Sequence, residues 1–456
     1  MAETDVTLEP MYRTVTTLGD FGPWISRLVL ELPDEIGVND VTTATFNVFC
    51  TRRERTGAVL MRKERGADHA APSMGYVPVL AAYPATPEGK RAERGSHVAL
   101  ELPEVRLTKR VEGGVMGSRK IDNCFRITQT TAIPTAADPL VGLVYDACAG
   151  DICPALDRWH EAEMTEAVDG IKMEYGYFEP DFEPAAPAIS GHFTSTKPKP
   201  EKAALIIYLH GAGEGKGESE NGGIPGGPLV PEGPARAYTG NRVTALSQSK
   251  IQGYFDGAAW VLVPQCPTFW MDNGVEQLGH SNQSIYARAL KALIDEFIAA
   301  HADRIDTSRI VVGGLSNGGF MTLRMCLDYP GFFAAGLPCC APWFNATAED
   351  VAGLAQTPLW FTHSKGDELV DPKETVLPLR RALAAAGATV HCTYFDHVED
   401  LTGVYREADG SPKKTFNHGV WIHVFNDFCR TDIDGTNVMI DGEPVGMWEW
   451  AARQRA

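Results

Sequence analysis

The chain of 456 residues is longer than one ordinary domain, and 44% hydrophobic with 22% charged residues is the composition of a folded globular protein. Its formal net charge of −18 argues against nucleic acids and anionic membranes as partners. We therefore expect two domains and a small-molecule partner.

The first residues and the cysteines indicate the compartment. The start, MAETDVTLEP, has neither the basic beginning nor the apolar stretch of a signal peptide, and no apolar run approaches the ~20 residues of a membrane span. Ten cysteines are too few for a dense disulfide framework, although Cys148 and Cys153 could close a small loop. The histidines do not fall at zinc-ligand spacing. We expect a cytoplasmic protein with no metal and no cofactor.

Residues 1–164 are predicted to form an all-β domain. In SRLVLELP and TATFNVFC, apolar side chains recur at every second position, which is the period of a strand with one buried face. Similar runs follow in YVPVLAAY, HVALELP and FRITQTTAI, separated by polar turns that contain glycine and proline. Short half-buried strands of this kind favour an antiparallel sandwich.

Residues 165–456 have a different pattern, in which continuous apolar strands alternate with helices. The strands are AALIIYL, AAWVLV, RIVVGG, PLWFTH and VHCTYF. Runs that are apolar on both faces are typical of a parallel sheet covered by helices. In one intervening segment, Tyr286, Leu290, Leu293 and Phe297 form a single helical stripe. This alternation predicts a doubly wound α/β domain with a mostly parallel sheet.

The segment GGLSNGGF places Ser316 between Gly314 and Gly318, directly after the strand RIVV and before a helix-like run. G-x-S-x-G between a strand and a helix is the nucleophile elbow, a sharp turn that projects the serine hydroxyl from the top of the sheet. The alternative is a glycine-rich turn with an incidental serine. The strand–turn–helix context favours Ser316 as a nucleophile.

A nucleophilic serine requires a base and an acid that orients it, and in this fold the chain order is serine, acid, histidine. Asp367 follows the strand PLWFTH, whereas Asp371 lies where an aspartate would cap the next helix. His418 has small and polar neighbours that suit an exposed catalytic loop. His423 falls inside a helix-like run, and His397 follows its strand too closely. We predict Asp367 as the acid and His418 as the base.

The glycine-rich sequence HGAG, which begins at His210, follows an early strand, where the oxyanion loop of lipases and esterases lies. The backbone N–H groups of Ala212 or Gly213, together with that of Asn317, are the predicted oxyanion donors. We expect His210 to brace this loop rather than to transfer protons. The alternative is a glycine-rich surface loop.

Three aromatic residues are candidates for the walls of a substrate pocket: Phe269, Trp270 and Trp421. Each of them could equally be a structural aromatic side chain.

These motifs resemble those of α/β-hydrolases of the predicted-peptidase or carboxylesterase group, and in particular bacterial esterases with an N-terminal immunoglobulin-like domain. The resemblance rests on LHGAGEG, LVPQCPTFWMDNG, GGLSNGGFMT, HSKGDELV and NHGVWIHVFND, and in residues 1–164 it is one of pattern only. It implies an immunoglobulin-like sandwich before an α/β-hydrolase domain, and a triad of Ser316, Asp367 and His418. The insertion VEDLTGVYREADGSPKKTF before His418 departs from the pattern.

The resulting hypothesis is a serine carboxylesterase that acts on small esters with short acyl or aromatic groups. The alternatives are a serine peptidase of the prolyl-oligopeptidase type, although no propeller-like repeat precedes the catalytic domain, and a catalytically silent binding protein on the same fold. A polymer-binding role of the β domain would need an exposed row of aromatic residues. Because sandwich strands can leave edges that pair between chains, we also expect a homo-oligomer.

Overall fold

The computed structural model describes residues 10–54, 56–63, 68–110, 118–182, 199–217 and 233–456. Contacts divide the chain into two compact units, with the division between Asp157 and Arg158. The strand Trp159–Glu163 lies before the boundary predicted at residues 164 and 165, and it pairs with the sheet of the second unit.

The first unit is built of strands. They are β1 (Met11–Gly19), β2 (Gly22–Gly37), β3 (Phe46–Arg53), β4 (Met61–Arg62), β5 (Ala71–Pro72), β6 (Met74–Val77), β7 (Ala81–Ala85), β8 (Arg94–Arg106), β9 (Thr108–Arg110), β10 (Ser118–Lys120), β11 (Asp122–Gln129), β12 (Val144–Tyr145) and β13 (Ala147–Ile152), followed by a 3₁₀ helix Pro154–Leu156. A five-stranded sheet in the order β13-β1-β2-β8-β7 and a four-stranded sheet in the order β12-β11-β3-β6 share one core. The predicted sandwich is confirmed.

The alternation of apolar and polar side chains along the strands produces this core. Leu28 and Leu30 of β2 pack with Phe46 and Val48 of β3, across the two sheets. Most pairings are antiparallel, but β13 joins β1 in parallel. The run YVPVLAAY, which we predicted as one strand, ends β6 and begins β7, and these strands belong to different sheets. Pro78 lies between them and has no N–H to donate to a ladder, which ends the first strand.

The second unit alternates strands and helices. Its strands are β14 (Trp159–Glu163), β15 (Glu174–Phe178), β16 (Ala203–Leu209), β17 (Ala259–Gln265), β18 (Ile305–Leu315), β19 (Ala335–Cys339), β20 (Leu359–Ser364), β21 (Val390–Phe395), β22 (Met439–Ile440) and β23 (Glu443–Pro444). Its helices are Ala235–Thr239, Ser249–Tyr254, Ala287–Ala300, Asn317–Asp328, Ala348–Leu354, Val376–Ala385, Trp421–Phe425 and Met447–Arg453, with 3₁₀ helices Val243–Ser247 and Asn417–Gly419.

One eight-stranded sheet in the order β14-β15-β17-β16-β18-β19-β20-β21 organises this unit. The strands from β17 to β21 are parallel, and β14 and β15 extend the sheet in the antiparallel sense. All five predicted runs are strands of this sheet, whereas the sequence analysis missed β14, β15 and β19. The predicted α/β architecture is confirmed.

The helix Ala287–Ala300 buries its predicted stripe against this sheet. Leu290, Leu293 and Phe297 belong to the same core cluster as Leu205 and Ile207 of β16. This packing keeps the central strands rigid, and the carboxyl ends of β16, β18 and β20 carry the candidate site. In the part of the chain that the structure describes, no helix is both long and apolar enough to cross a membrane.

Candidate active site

Ser316 stands at the junction between β18 and the helix Asn317–Asp328. Its φ of 53° lies in the left-handed region, which is rare for a residue with a side chain and is often found at functional sites. Its N–H donates a hydrogen bond of 2.7 Å to the carbonyl of Cys339, at the end of the neighbouring strand β19. The turn is therefore strained and held in place by the sheet.

The two glycines of the elbow are required by the close approach of other backbone atoms. A Cβ on Gly314 would lie 2.4 Å from the carbonyl oxygen of Gly318. A Cβ on Gly318 would lie 2.0 Å from the carbonyl oxygen of Leu209 and 2.6 Å from that of His210. The elbow thus packs directly, backbone against backbone, on the start of the predicted oxyanion loop.

Asp367 and His418 form a buried pair. Nδ1 of His418 donates a hydrogen bond of 2.7 Å to Oδ2 of Asp367. A carboxylate only accepts, so the proton of the neutral imidazole is on Nδ1 and its Nε2 is the acceptor nitrogen. A ring held in this tautomer can take a proton from a serine hydroxyl.

The environment of Asp367 favours its ionised form. Burial alone would raise the pKa of this carboxyl, but hydrogen bonds from His363 and His418 more than offset the burial and hold the pKa well below its usual range. Oδ1 also accepts hydrogen bonds of 2.9 Å from the N–H groups of Leu369 and Val370. The acid therefore stays negatively charged at neutral pH.

The topology brings the serine and the acid–base pair to the same edge of the sheet. Ser316 follows β18, Asp367 follows β20, and β19 lies between these two strands. The residue after β19, Cys340, donates from Sγ to the backbone carbonyl of His418 over 3.1 Å. Because parallel strands place their carboxyl ends at one edge, all three predicted triad residues lie at that edge.

The structure distinguishes Asp367 and His418 from the other candidates. Oδ1 of Asp371 accepts from the N–H of Lys373 over 2.9 Å, in the turn before the helix Val376–Ala385. His397 pairs with Glu399, and His423 is buried inside the helix Trp421–Phe425.

The exposure that we predicted for His418 is wrong. Its side chain is only 3% exposed, in the 3₁₀ helix Asn417–Gly419. Asp367 contacts one edge of the ring, and the indole of Trp421 packs edge-on at 5.7 Å between ring centroids.

His210 braces the glycine-rich loop. Its Nδ1 lies 2.8 Å from the carbonyl of Gly211, and its Nε2 accepts from the N–H of Cys266 over 2.9 Å. Burial lowers the pKa of His210 to about 4, so the ring is neutral. Arg236 donates to the carbonyl of Gly213 over 2.9 Å. The loop carrying Ala212 and Gly213 is held from both sides.

Asn317 and Trp270 support the elbow from within the core. Oδ1 of Asn317 accepts from the backbone N–H of Trp270 over 2.6 Å, and the indole lies 5.3 Å from the imidazole of His210. Trp270 is 0% exposed and so presents no surface to a ligand in this structure, whereas the neighbouring Phe269 is partly exposed.

An aromatic residue that the sequence analysis missed lies beside the base. The ring of Phe416 packs at 5.5 Å on Trp421, which packs in turn on His418, and Phe416 remains 47% exposed. The feature of the sequence that could have indicated Phe416 is its position at the end of the insertion, two residues before the predicted base His418.

The insertion is an ordered arm with antiparallel pairing. Glu399 pairs with Lys414 near its base, and the N–H of Val398 donates to Oδ1 of Asn417 over 3.0 Å. Asn417 directly precedes His418, so the insertion is anchored on the base loop and defines its shape.

One group of possible metal ligands occurs within the described residues. Cys340, Asp367 and His418 place one ligand atom each within 4.8 Å of one another. Burial raises the pKa of the Cys340 thiol well above its usual value, and a hydrogen bond already joins Asp367 to His418. This chemistry does not favour a metal, because thiolate is the form of cysteine that binds one.

Two family models match parts of the chain. Residues 11–142 match the model of the esterase Ig-like N-terminal domain. Residues 270–397, which include Ser316 and Asp367, match the phospholipase/carboxylesterase model. No curated protein matches the chain in sequence.

One solved structure that this chain resembles has the same fold, and a second is more distant. The crystal structure of a thermostable esterase is 20% identical, with a TM-score of 0.66 over 98% of this chain and 100% of that one. An acylaminoacyl peptidase from Pyrococcus horikoshii is 13% identical, with a TM-score of 0.37 over 75% of this chain and 52% of that one. The chain therefore combines a first region that matches the esterase Ig-like N-terminal domain with an α/β-hydrolase fold whose residues 270–397 match the phospholipase/carboxylesterase model, and these matches identify it as a carboxylic ester hydrolase.

Proposed function

We propose that the protein is a serine carboxylesterase that hydrolyses small esters with short acyl or aromatic groups through an acyl-enzyme intermediate. The observation that carries this proposal is the buried hydrogen bond between Asp367 and His418, at the same sheet edge as the strained elbow of Ser316.

In the first half of the reaction, Nε2 of His418 accepts the hydroxyl proton of Ser316 while Oγ attacks the ester carbonyl carbon. The developing oxyanion is held by the backbone N–H of Asn317 and that of Ala212 or Gly213. His418 then donates its proton to the leaving alcohol as the carbon–oxygen bond breaks, which produces the acyl-enzyme.

In the second half, His418 removes a proton from water, the resulting hydroxyl attacks the acyl carbonyl, and the proton returns to Oγ of Ser316 as the acid leaves. Throughout, Asp367 keeps the ring in the Nδ1–H tautomer and stabilises its positive charge. The low pKa of Asp367 supports this role, because the carboxylate has to remain ionised.

Aromatic side chains support the proposed preference for small acyl or aromatic groups. Phe269, Trp421 and Phe416 are the proposed walls of the substrate pocket; Trp421 packs on His418, and Phe416 packs on Trp421. Trp270 acts indirectly in this proposal, since its fully buried ring supports the oxyanion loop through His210.

A substrate panel tests the proposal. We would compare p-nitrophenyl esters from acetate to octanoate and p-nitrophenyl benzoate with aminoacyl p-nitroanilides. We expect kcat/KM for the best ester to exceed that for the best anilide by about a hundredfold or more, because an amide has the poorer leaving group. Equal values for the two sets would favour the peptidase instead.

A further inference from the structure

Asp367 contacts a second histidine that the triad does not include. His363 is in β20, four residues before the acid, and its Nε2 lies 3.1 Å from Oδ2 of Asp367. The same nitrogen lies 3.0 Å from the backbone carbonyl of Val370. Both partners are acceptors, so Nε2 carries a proton that it shares between them.

Packing does not account for an imidazole at this position. The side chain of His363 is fully buried, and among the described residues its Nδ1 has no hydrogen-bond partner. Burying an unpaired polar nitrogen is unfavourable, and leucine would fill a similar volume without that cost. What histidine provides here is the donor directed at Asp367 and the adjacent Val370 carbonyl.

This donor completes the set of hydrogen bonds around the carboxylate. The backbone N–H groups of Leu369 and Val370 bind Oδ1, while Oδ2 accepts from both His418 and His363. The terminal torsion of an aspartate is broad, and because the carboxylate is planar this torsion moves both oxygens together. A buried donor on Oδ2 therefore adds to the two backbone donors on Oδ1 in fixing the plane of the carboxylate.

We propose that His363 is a positioning residue, which orients Oδ2 of Asp367 toward Nδ1 of His418 and thereby aligns the base with Ser316. This role rests on the proposed serine esterase mechanism. It extends that mechanism by making the acid–base pair a unit of one aspartate and two histidines, of which only His418 transfers protons.

The test compares His363→Leu with His363→Gln in the full chain. Glutamine can place an amide N–H near the position of Nε2, whereas leucine has no donor. Active sites are counted by burst titration with a fluorophosphonate, so that kcat refers to folded, reactive enzyme. We expect His363→Leu to lower kcat per active site by about 10- to 100-fold and to leave KM within about twofold of the wild-type value. His363→Gln should recover most of the lost kcat.

The chain offers a matched control on the neighbouring strand. Nδ1 of His391, in β21, lies 2.8 Å from Oδ2 of Asp432, and in the described part of the chain no hydrogen bond or ion pair joins this histidine–aspartate pair to the triad residues. His391→Leu is expected to leave kcat per active site within about twofold of the wild-type value.

The outcomes separate this role from a structural one. A structural histidine would lower the number of active sites without changing their turnover, so an unchanged kcat per site in His363→Leu would overturn the proposal. If His363→Leu does not fold, His363→Asn replaces it, because the side chain of asparagine is too short for its amide to reach Asp367. Equal kcat in the His363→Asn and His363→Gln variants would also overturn the proposal. Substantial activity in Ser316→Ala would instead contradict the serine mechanism itself.

Discussion

Asp367 and His418 are 51 positions apart in the chain, yet a hydrogen bond of 2.7 Å joins their side chains, neither of which is more than 3% exposed. Solvent screens a buried pair much less than an exposed one. Solvent and salt therefore screen the contact between this carboxylate and the imidazole only weakly, and this pairing is the basis of the predictions on turnover.

Replacing Ser316 by alanine should reduce ester hydrolysis by about 10⁴-fold or more, since the nucleophile is lost while the backbone strain at φ 53° is the same for both residues. The melting temperature should be nearly unchanged. A fluorophosphonate should label the wild-type enzyme at Ser316, as read by peptide mass spectrometry. Labelling at a different serine would contradict the assignment.

Asp367→Asn should lower kcat by about 10³- to 10⁴-fold, because an amide can present its N–H₂ to Nδ1 of His418 and favour the wrong tautomer. Asp371→Asn is the matched control, since the side chain of Asp371 accepts from the N–H of Lys373 in the turn before the next helix, and kcat of this variant should stay within about threefold of wild type. Steady-state kinetics on p-nitrophenyl acetate measure both. Equal losses would refute the choice of acid.

The buried neutral state of His210 makes stability depend on pH. An unfolded histidine titrates near pH ~6.5, whereas the folded pKa of His210 is lowered to about 4 by burial. Between these values the unfolded state binds more protons, so this contribution is fully present above pH ~6.5 and is lost as the pH falls toward 4. The free energy of unfolding should drop by about 3 kcal/mol across that window.

Urea unfolding at a series of pH values measures this dependence. In His210→Gln the free energy of unfolding should fall by about 3 kcal/mol less than in the wild type between pH ~6.5 and 4, because glutamine does not titrate. A slope identical to that of the wild type would show that His210 is not its source.

Gly318→Ala should destabilise the protein by about 3 kcal/mol or more and abolish activity, because its Cβ would lie 2.0 Å from the carbonyl oxygen of Leu209, a backbone atom that cannot move without disturbing β16. Gly253→Ala is the control. That glycine lies in the helix Ser249–Tyr254 with nothing within 4 Å of the added Cβ, so alanine should be neutral or stabilising by about 0.5–1 kcal/mol. Thermal unfolding and esterase assays compare them.

Phe416→Ala should change selectivity more than catalysis. Loss of a half-exposed ring beside Trp421 removes apolar contact area from bulky substrates, so kcat/KM for p-nitrophenyl benzoate should fall about tenfold while that for the acetate stays within about twofold. Val404 is another exposed apolar residue of the same insertion, and Val404→Ala should leave kcat/KM unchanged for both the benzoate and the acetate ester. A parallel loss on both esters in Phe416→Ala would place the ring outside the pocket.

The amino-acid pattern alone is enough to predict the architecture and the local part of the site. Period-two patterns in the first 150 residues and continuous apolar runs beyond residue 165 identified most of the long strands, because burial on one or both faces of a sheet is recorded residue by residue. The elbow at Ser316 was recognisable since its strain is a local property of five consecutive residues. The positions of Asp367 and His418 after their strands narrowed the acid and the base to a few candidates.

Which of those candidates come together, and what surrounds them, depends on how the chain packs in three dimensions. The pairing of Asp367 with His418 depends on strand order, and the burial of Trp270 depends on the packing of the oxyanion loop against the elbow. No local pattern indicates the roles of His363 and Phe416, because these roles come from side-chain contacts: that of His363, the first residue of HSKGDELV, with the carboxylate of Asp367, and that of Phe416 with the indole of Trp421. Such contacts depend on where the chain returns in space, and no local pattern of side chains encodes that distance.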